Sequence, residues 1–267
     1  MSRSFLPAFS RHPYFWLPPI LALAVLWRLA DPADNRALFL TLNGLAAHLP
    51  DTFWSCLTVL GDSLVALCLI LPFLRRRPDL VLAALLASLP ATLISHVLKD
   101  AFDMARPYAV LGDAVHVIGP YLTAGAFPSG HTTATFVLAS VLTAGLANRV
   151  AALGVMVLAL LVGLARVAVG AHWPLDVAGG ILCGWASALI GLYLARRFGN
   201  PGRAAVREAL RALLVACALY LFFFHHTGYP LARPFEQALA LGVLVYHLLP
   251  GWSFAQHPPT RARHGTS

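Results

Sequence analysis

The sequence predicts an all-α fold: a polytopic membrane helix bundle with a six-helix core and two further helices towards the C-terminus. Three observations predict it. Of the 267 residues, 59% are hydrophobic and 11% are charged. Soluble proteins carry about 25% charged residues, and so little charge cannot cover a water-facing globule of this size. The hydrophobic residues also fall into runs approaching the ~20 residues that cross a bilayer as a helix, and arginines gather between those runs. High hydropathy with low charge excludes a disordered chain. The 20 Gly and 4 Cys exclude collagen and a disulfide scaffold.

The elements follow in order. A first span is expected from about Pro13 to Trp27, a second from Phe53 to Leu74 and a third from Leu80 to Leu98. The fourth runs from His131 to about Asn148, the fifth from Val150 to Ala165, and the sixth from Leu175 to Ala195. Two weaker runs, Ala212 to Phe224 and Phe235 to Leu249, complete the set. Residues 1–200 are therefore expected to form the membrane-embedded core. Residues 201–267 form a C-terminal extension with two membrane helices and a short basic tail. Arg3 and Arg11 precede the first run as in a secretory signal. Arg28 follows it directly, without a small-residue cleavage site, so a retained helix is expected.

Charge sets the orientation. The chain has 19 Lys and Arg against 11 Asp and Glu, a net charge of +8. In a soluble protein that excess would favour nucleic acid. Here the arginines flank apolar runs, so a membrane surface is the expected partner and no nucleic acid is expected. With the N-terminus in the cytoplasm and eight spans, 13 of the 19 basic residues lie inside, among them Arg75, Arg76, Arg77, Arg149, Arg196, Arg197, Arg203, Arg207, Arg211, Arg261 and Arg263. Lys/Arg-rich loops stay cytoplasmic, so both termini are expected there. The four cysteines, Cys56, Cys68, Cys183 and Cys217, lie inside apolar runs without metal spacing and read as small buried hydrophobes.

Two connections then share the outer face. One opens with Lys99, the only lysine, leads to Arg106-Pro107, and closes with Pro128-Ser129-Gly130-His131. The other runs from Ala165-Arg166 through His172-Trp173-Pro174 to Asp176. Three cations on one spot suit a multiply charged anion, since Arg presents a planar fork and Lys a point charge. Ser129 and Gly130 immediately precede a helix, and free N–H groups at a helix start bind anions. Two histidines suit phosphoryl transfer, one attacking phosphorus and one protonating the leaving oxygen. Pro174 is suited to start the sixth helix. That puts Asp176 in its first turn beside His172, where a carboxylate on one ring nitrogen leaves the other free to attack.

These residues resemble the type 2 phosphatidic acid phosphatase superfamily, which also includes vanadium haloperoxidases and glucose-6-phosphatase. The family pattern is Lys-x6-Arg-Pro, Pro-Ser-Gly-His, and Ser-Arg-x5-His-x3-Asp. It stands here as Lys99 to Pro107, Pro128 to His131, and Arg166 to Asp176, with Ala165 in place of the usual Ser. The resemblance implies His172 as the nucleophile that forms a phosphohistidine, Asp176 as its orienting partner, and His131 as acid and then base. It implies Lys99, Arg106, Ser129, Gly130 and Arg166 as the phosphate-binding set, and no metal cofactor. The implied activity is hydrolysis of a lipid phosphate or diphosphate by an integral-membrane phosphatase of the bacterial cytoplasmic membrane, with its site on the outer, periplasmic face. Undecaprenyl diphosphate, phosphatidylglycerophosphate, phosphatidate and lipid A phosphates all fit it. A phosphotransferase using the same phosphohistidine fits as well. A non-catalytic anionic-lipid binder is the alternative of a different class, although no motif histidine or aspartate is missing here.

Other residues read more plainly. Asp62, a carboxylate inside the second span, is either functional or solvated near the interface. His96 reads as a packed or interfacial histidine, and His225 and His226 as interfacial belt residues. Tyr108 and Trp173 flank the motifs and are candidates for headgroup contact.

Overall fold

The computed structural model describes residues 13–200 and 203–249. Arg3, Arg11, Arg261 and Arg263, used above for orientation, lie outside the described residues, as does most of the basic tail. Among the described residues the chain is built of helices, and no strand occurs. The α-helices are α1 (Pro13–Arg28), α2 (Pro32–Ala46), α3 (Asp51–Val59), α4 (Ser63–Ile70), α5 (Pro78–Phe102), α6 (Pro107–Leu111), α7 (Gly130–Gly145), α8 (Arg149–Ala168), α9 (Pro174–Phe198), α10 (Ala204–Phe223) and α11 (Arg233–Leu248).

Local chemistry fixes many of the starts. Asp31, Asp62, Ser129 and Asn148 cap α2, α4, α7 and α8, each side chain accepting from a first-turn N–H. Proline stands at the first position of α2, α5 and α9, where its missing N–H costs nothing.

One helix is found beyond those expected, and one expectation is corrected. The segment after Arg28 is helical: α2 folds back at 117° from α1. Its buried residues Asn35, Phe39, Asn43 and Ala46 recur at helical spacing, behind an Asp-Pro start. The second span is also broken. Gly61-Asp62 interrupts it, and α3 and α4 meet at 66° because Asp62 caps a new helix start. Among the described residues, three segments are by themselves long and apolar enough to cross a membrane: Pro78–Ala114, Arg149–Ala168 and Pro174–Phe198. The two bent pairs raise that to five. Helices α7 and α11, at 16 residues, reach only ~24 Å each. Helix α10 carries Arg207, Glu208 and Arg211 in its first turns. On that criterion the described residues hold three to five of the six spans and two weaker runs expected.

Helix α9 is central, packed against α5, α7 and α1. Small residues make this possible. A Cβ on Gly184 would lie 2.5 Å from the Thr133 carbonyl, and one on Gly180 2.7 Å from that of Ser129. Such close backbone approach drives helix association in lipid, where apolar burial does not. One core cluster runs from Phe15 through Leu74, Val81 and Leu192 to Leu214, Leu221 and Val243, so the α10–α11 hairpin shares the core of the earlier helices. Outward-facing side chains such as Leu89 and Leu93 on α5, about two-thirds exposed, continue an apolar surface that suits lipid. The chain is an integral membrane protein.

The two ends of the bundle differ. At one, Arg77 donates to the Gly145 carbonyl closing α7, and Arg75 to the His247 and Leu249 carbonyls closing α11. Cations on orphan helix-end carbonyls stabilise both ends. The opposite end gathers the end of α5, the start of α7 and the α8–α9 turn.

Candidate active site

All three motifs meet at that second end. The Ser129 N–H donates to the Asp176 carbonyl at 3.0 Å, tying the start of α7 to the start of α9. The Ile118 N–H donates to the Val169 carbonyl at 3.2 Å, tying the long connection to the α8–α9 turn. Asn43 of α2 stitches the same two loops. Its amide donates to the carbonyls of His116, Val167 and Ala168 at 3.0–3.2 Å and accepts from the His116 N–H at 2.9 Å.

His172 and Asp176 are almost fully buried. Pro174 starts α9, and Asp176 in its first turn accepts from the Trp173 N–H at 2.8 Å and faces His172 Nδ1 at 3.2 Å through the same oxygen, Oδ2. On the other side of the ring, Arg106 Nη1 lies 3.2 Å from His172 Nε2. A guanidinium only donates, so Nε2 accepts and the ring proton sits on Nδ1, towards the carboxylate. Burial, reinforced by Arg106, Arg166, Lys99 and His131, holds His172 well below the usual 6.5. A neutral imidazole with its Nε2 lone pair among cations is set up as a nucleophile for an anionic electrophile.

The cations are held by neutral groups. Arg106 Nε and Nη2 donate to the Ala124 and Gly125 carbonyls at 2.7 and 3.2 Å, and Lys99 Nζ donates to the same Gly125 carbonyl. Arg166, 2% exposed, donates through Nη1 to the hydroxyls of Thr58 at 2.5 Å and Tyr229 at 2.7 Å. Among the described residues no carboxylate forms an ion pair with Lys99, Arg106 or Arg166. The positive charge is therefore left for a ligand.

Ser129 is fully buried, and its Oγ accepts from Thr132 Oγ1 at 3.0 Å. Nothing lies within 4 Å of where a Gly130 Cβ would stand, so the α7 start is open there. His131 Nε2 is buried and has no hydrogen-bond partner among the described residues. Lys99, Gly130 and His131 head a cavity of about 440 Å³ that runs between α4, α5 and α7 to Ile70 and Ala84. Along α5, the 15 steps from Lys99 to Ala84 span about 22 Å. Below the polar head its lining is largely apolar, with Ala66, Leu67, Ala91, Ala134, Val137 and Leu138.

The plainer residues also find places. Asp62 lines this cavity, caps α4, and lies 3.2 Å from His225 Nε2. His96 sits against its own helix, Nδ1 2.8 Å from the Thr92 carbonyl. Trp173 is buried, its indole N–H on the Ala105 carbonyl at 2.9 Å and its ring edge-on to Phe39, so it packs the site instead of meeting headgroups. Tyr108 packs edge-on against Tyr121. Thr58, Tyr229 and Asn43 were not legible as site residues. Thr58 and Tyr229 lie outside every motif, and Asn43 lies on the helix that hydropathy missed. The four-residue recurrence of Asn35, Phe39 and Asn43 is the one signal that would have found it.

An all-α membrane bundle with cations and imidazoles gathered at one end is suited to binding and transferring a phosphoryl group. The model of the PAP2 superfamily matches residues 79–199. The crystal structure of Aquifex aeolicus LpxE matches with 32% identity and a TM-score of 0.54, over 59% of this chain and 93% of that one. Undecaprenyl-diphosphatase BcrC of Bacillus subtilis (strain 168) is 25% identical over 153 residues, 55% of this chain and 77% of that protein. The chain belongs to the PAP2 superfamily, and it is an enzyme of the phosphatase kind. The family match ends before the α10–α11 hairpin.

Proposed function

We propose that this enzyme hydrolyses the phosphomonoester or diphosphate of a membrane lipid through a phosphohistidine on His172, at the outer face of the bacterial cytoplasmic membrane. The observation that carries this reading is the polarised ring of His172, Nδ1 towards Asp176 and Nε2 towards Arg106. Nε2 attacks phosphorus, and the bond from phosphorus to the lipid-side oxygen breaks. His131, protonated in the loaded site, gives its proton to that leaving oxygen. Water then attacks the phosphohistidine, passing a proton to His131; the P–N bond breaks and inorganic phosphate leaves. Lys99, Arg106, Arg166 and the N–H groups at the start of α7 hold the phosphoryl oxygens throughout. Ser129 keeps that start in shape as its cap. Among the described residues no group of three or more His, Cys, Asp or Glu forms a metal site, and every step above uses only protein groups and water.

The cavity supports a lipid as substrate, since its polar head lies at His131 and its apolar length runs into the bundle. The likeness to an undecaprenyl-diphosphatase favours a polyprenyl diphosphate as the first compound to try. The orientation rests on the arginines at the far end of the bundle, which the positive-inside rule assigns to the cytoplasm. The test is phosphate release from a polyprenyl diphosphate by purified protein in detergent with EDTA present. No release from it, nor from phosphatidate, phosphatidylglycerophosphate or lipid A phosphates, would sink the reading.

Two expected results arise here. Ala134→Trp fills the cavity below His131 and should slow long-chain substrates about tenfold or more while sparing a short-chain phosphate; kcat/KM against chain length checks this. The low His172 pKa sets the pH dependence. A depressed value keeps the nucleophilic neutral form present as pH falls through 6.5. The acid limb of kcat/KM, corrected for the substrate's own ionisation, should lie well below 6.5. Arg106→Gln should move it upward, because one of the charges that opposes protonation is gone.

A further inference from the structure

Tyr229 stands 53 residues beyond the last motif residue, on the turn between α10 and α11, outside the family match. It nevertheless reaches the centre of the site. It is 4% exposed, its hydroxyl accepts from Arg166 Nη1 at 2.7 Å, and the Arg166 guanidinium carbon lies 5.7 Å from its ring centroid. Thr58, fully buried on α3, accepts from the same nitrogen at 2.5 Å.

Nη1 has two hydrogens, and these two hydroxyls take both. Arg166 Nε is buried and has no hydrogen-bond partner among the described residues. The edge of the guanidinium that carries Nε and Nη2 is the edge that forms a two-point fork on an oxyanion. Two neutral acceptors thus fix the orientation of the group without cancelling its charge, as a carboxylate would. The Tyr229 ring adds a cation–π contact.

The turn is built to hold this tyrosine. A Cβ on Gly119 of the long connection would lie 2.6 Å from Tyr229 Cε1, so the ring packs against a glycine, at φ +86, where no side chain fits. Arg233 at the start of α11 donates to the Phe222 and His225 carbonyls at 2.7 and 2.6 Å, and Thr227 Oγ1 donates to buried Glu236 at 2.5 Å. These bonds brace both sides of the turn.

We propose that Thr58 and Tyr229 are positioning residues of the phosphate site, which together aim the Arg166 fork, and that the C-terminal hairpin exists in this enzyme partly to deliver Tyr229. The proposal rests on the reading of Arg166 as a phosphate ligand. Its test is binding of inorganic phosphate, which needs no turnover. Isothermal titration in detergent compares wild type with Tyr229→Phe and Thr58→Val, both nearly isosteric. Each folded variant should raise the phosphate Kd about 5- to 20-fold, whatever the orphaned Nη1 hydrogen costs in melting temperature. In an Arg166→Lys background, which lacks the fork, Tyr229→Phe should have little further effect. A purely structural tyrosine would lower the melting temperature, leave Kd unchanged, and act independently of residue 166. An unchanged Kd in either folded variant overturns the proposal, and should one variant not fold, the other decides. If wild type binds phosphate but releases none from any lipid, the hydrolytic reading fails while this test still reads.

Discussion

Replacing His172 by alanine is expected to lower phosphate release from a lipid substrate by about 10⁴-fold or more, as loss of a nucleophile does. Asp176, the group behind it, faces Nδ1 and is fully buried, and Arg106 has only protons to give. Lipid binding should persist, because the cavity and the cations are untouched. The measurement is single-turnover release together with trapping of radiolabelled phosphate on the protein. Wild type should show an acid-labile, base-stable phosphoenzyme, and His172→Ala none. His131→Ala separates the two halves of the reaction: with an aryl phosphate, whose leaving group needs no acid, the phosphoenzyme should form and accumulate. Wild-type turnover by His172→Ala would remove the mechanism altogether.

The second large effect is expected at Asp176, and here geometry sets its size. Both donors, Trp173 N–H and His172 Nδ1, converge on the one oxygen Oδ2, and Oδ1 has no partner among the described residues. An asparagine with its carbonyl oxygen at the Oδ2 position still accepts from both. Asp176→Asn therefore keeps the ring tautomer and loses only the charge that strengthens the bond to the developing phosphoimidazolium. A charged hydrogen bond contributes about 1.5–3 kcal/mol, so kcat should fall about 10- to 100-fold. Asp176→Ala also frees the ring and strips the Trp173 N–H, and should fall about 10³-fold or more, with a lower melting temperature. Equal losses in the two variants would mean that Oδ2 does not hold the tautomer.

The chemistry of the site was more legible than its scaffold. The contact of His172 with Asp176 follows from four-residue spacing and a proline that starts a helix, both local facts. The meeting of Lys99, Arg106 and Arg166 at one end follows from alternating spans. What escaped the sequence was long-range or disguised. Helix α2 has too many polar residues to register as a span, although its buried asparagines are what make it useful. The break at Gly61-Asp62 is hidden inside a run that hydropathy reads as continuous. Thr58 and Tyr229 reach Arg166 across 108 and 63 residues, and no local pattern announces contacts of that length.

Asn43 has a consequence for how such an enzyme can change. It grips the two motif loops through main-chain atoms alone: three carbonyls and one N–H. Every residue type presents a carbonyl, and every one but proline an N–H, so the clasp itself reads no side chain at 116, 167 or 168. Substitutions around the rim can accumulate, and substrate preference can drift, while the two loops stay in register.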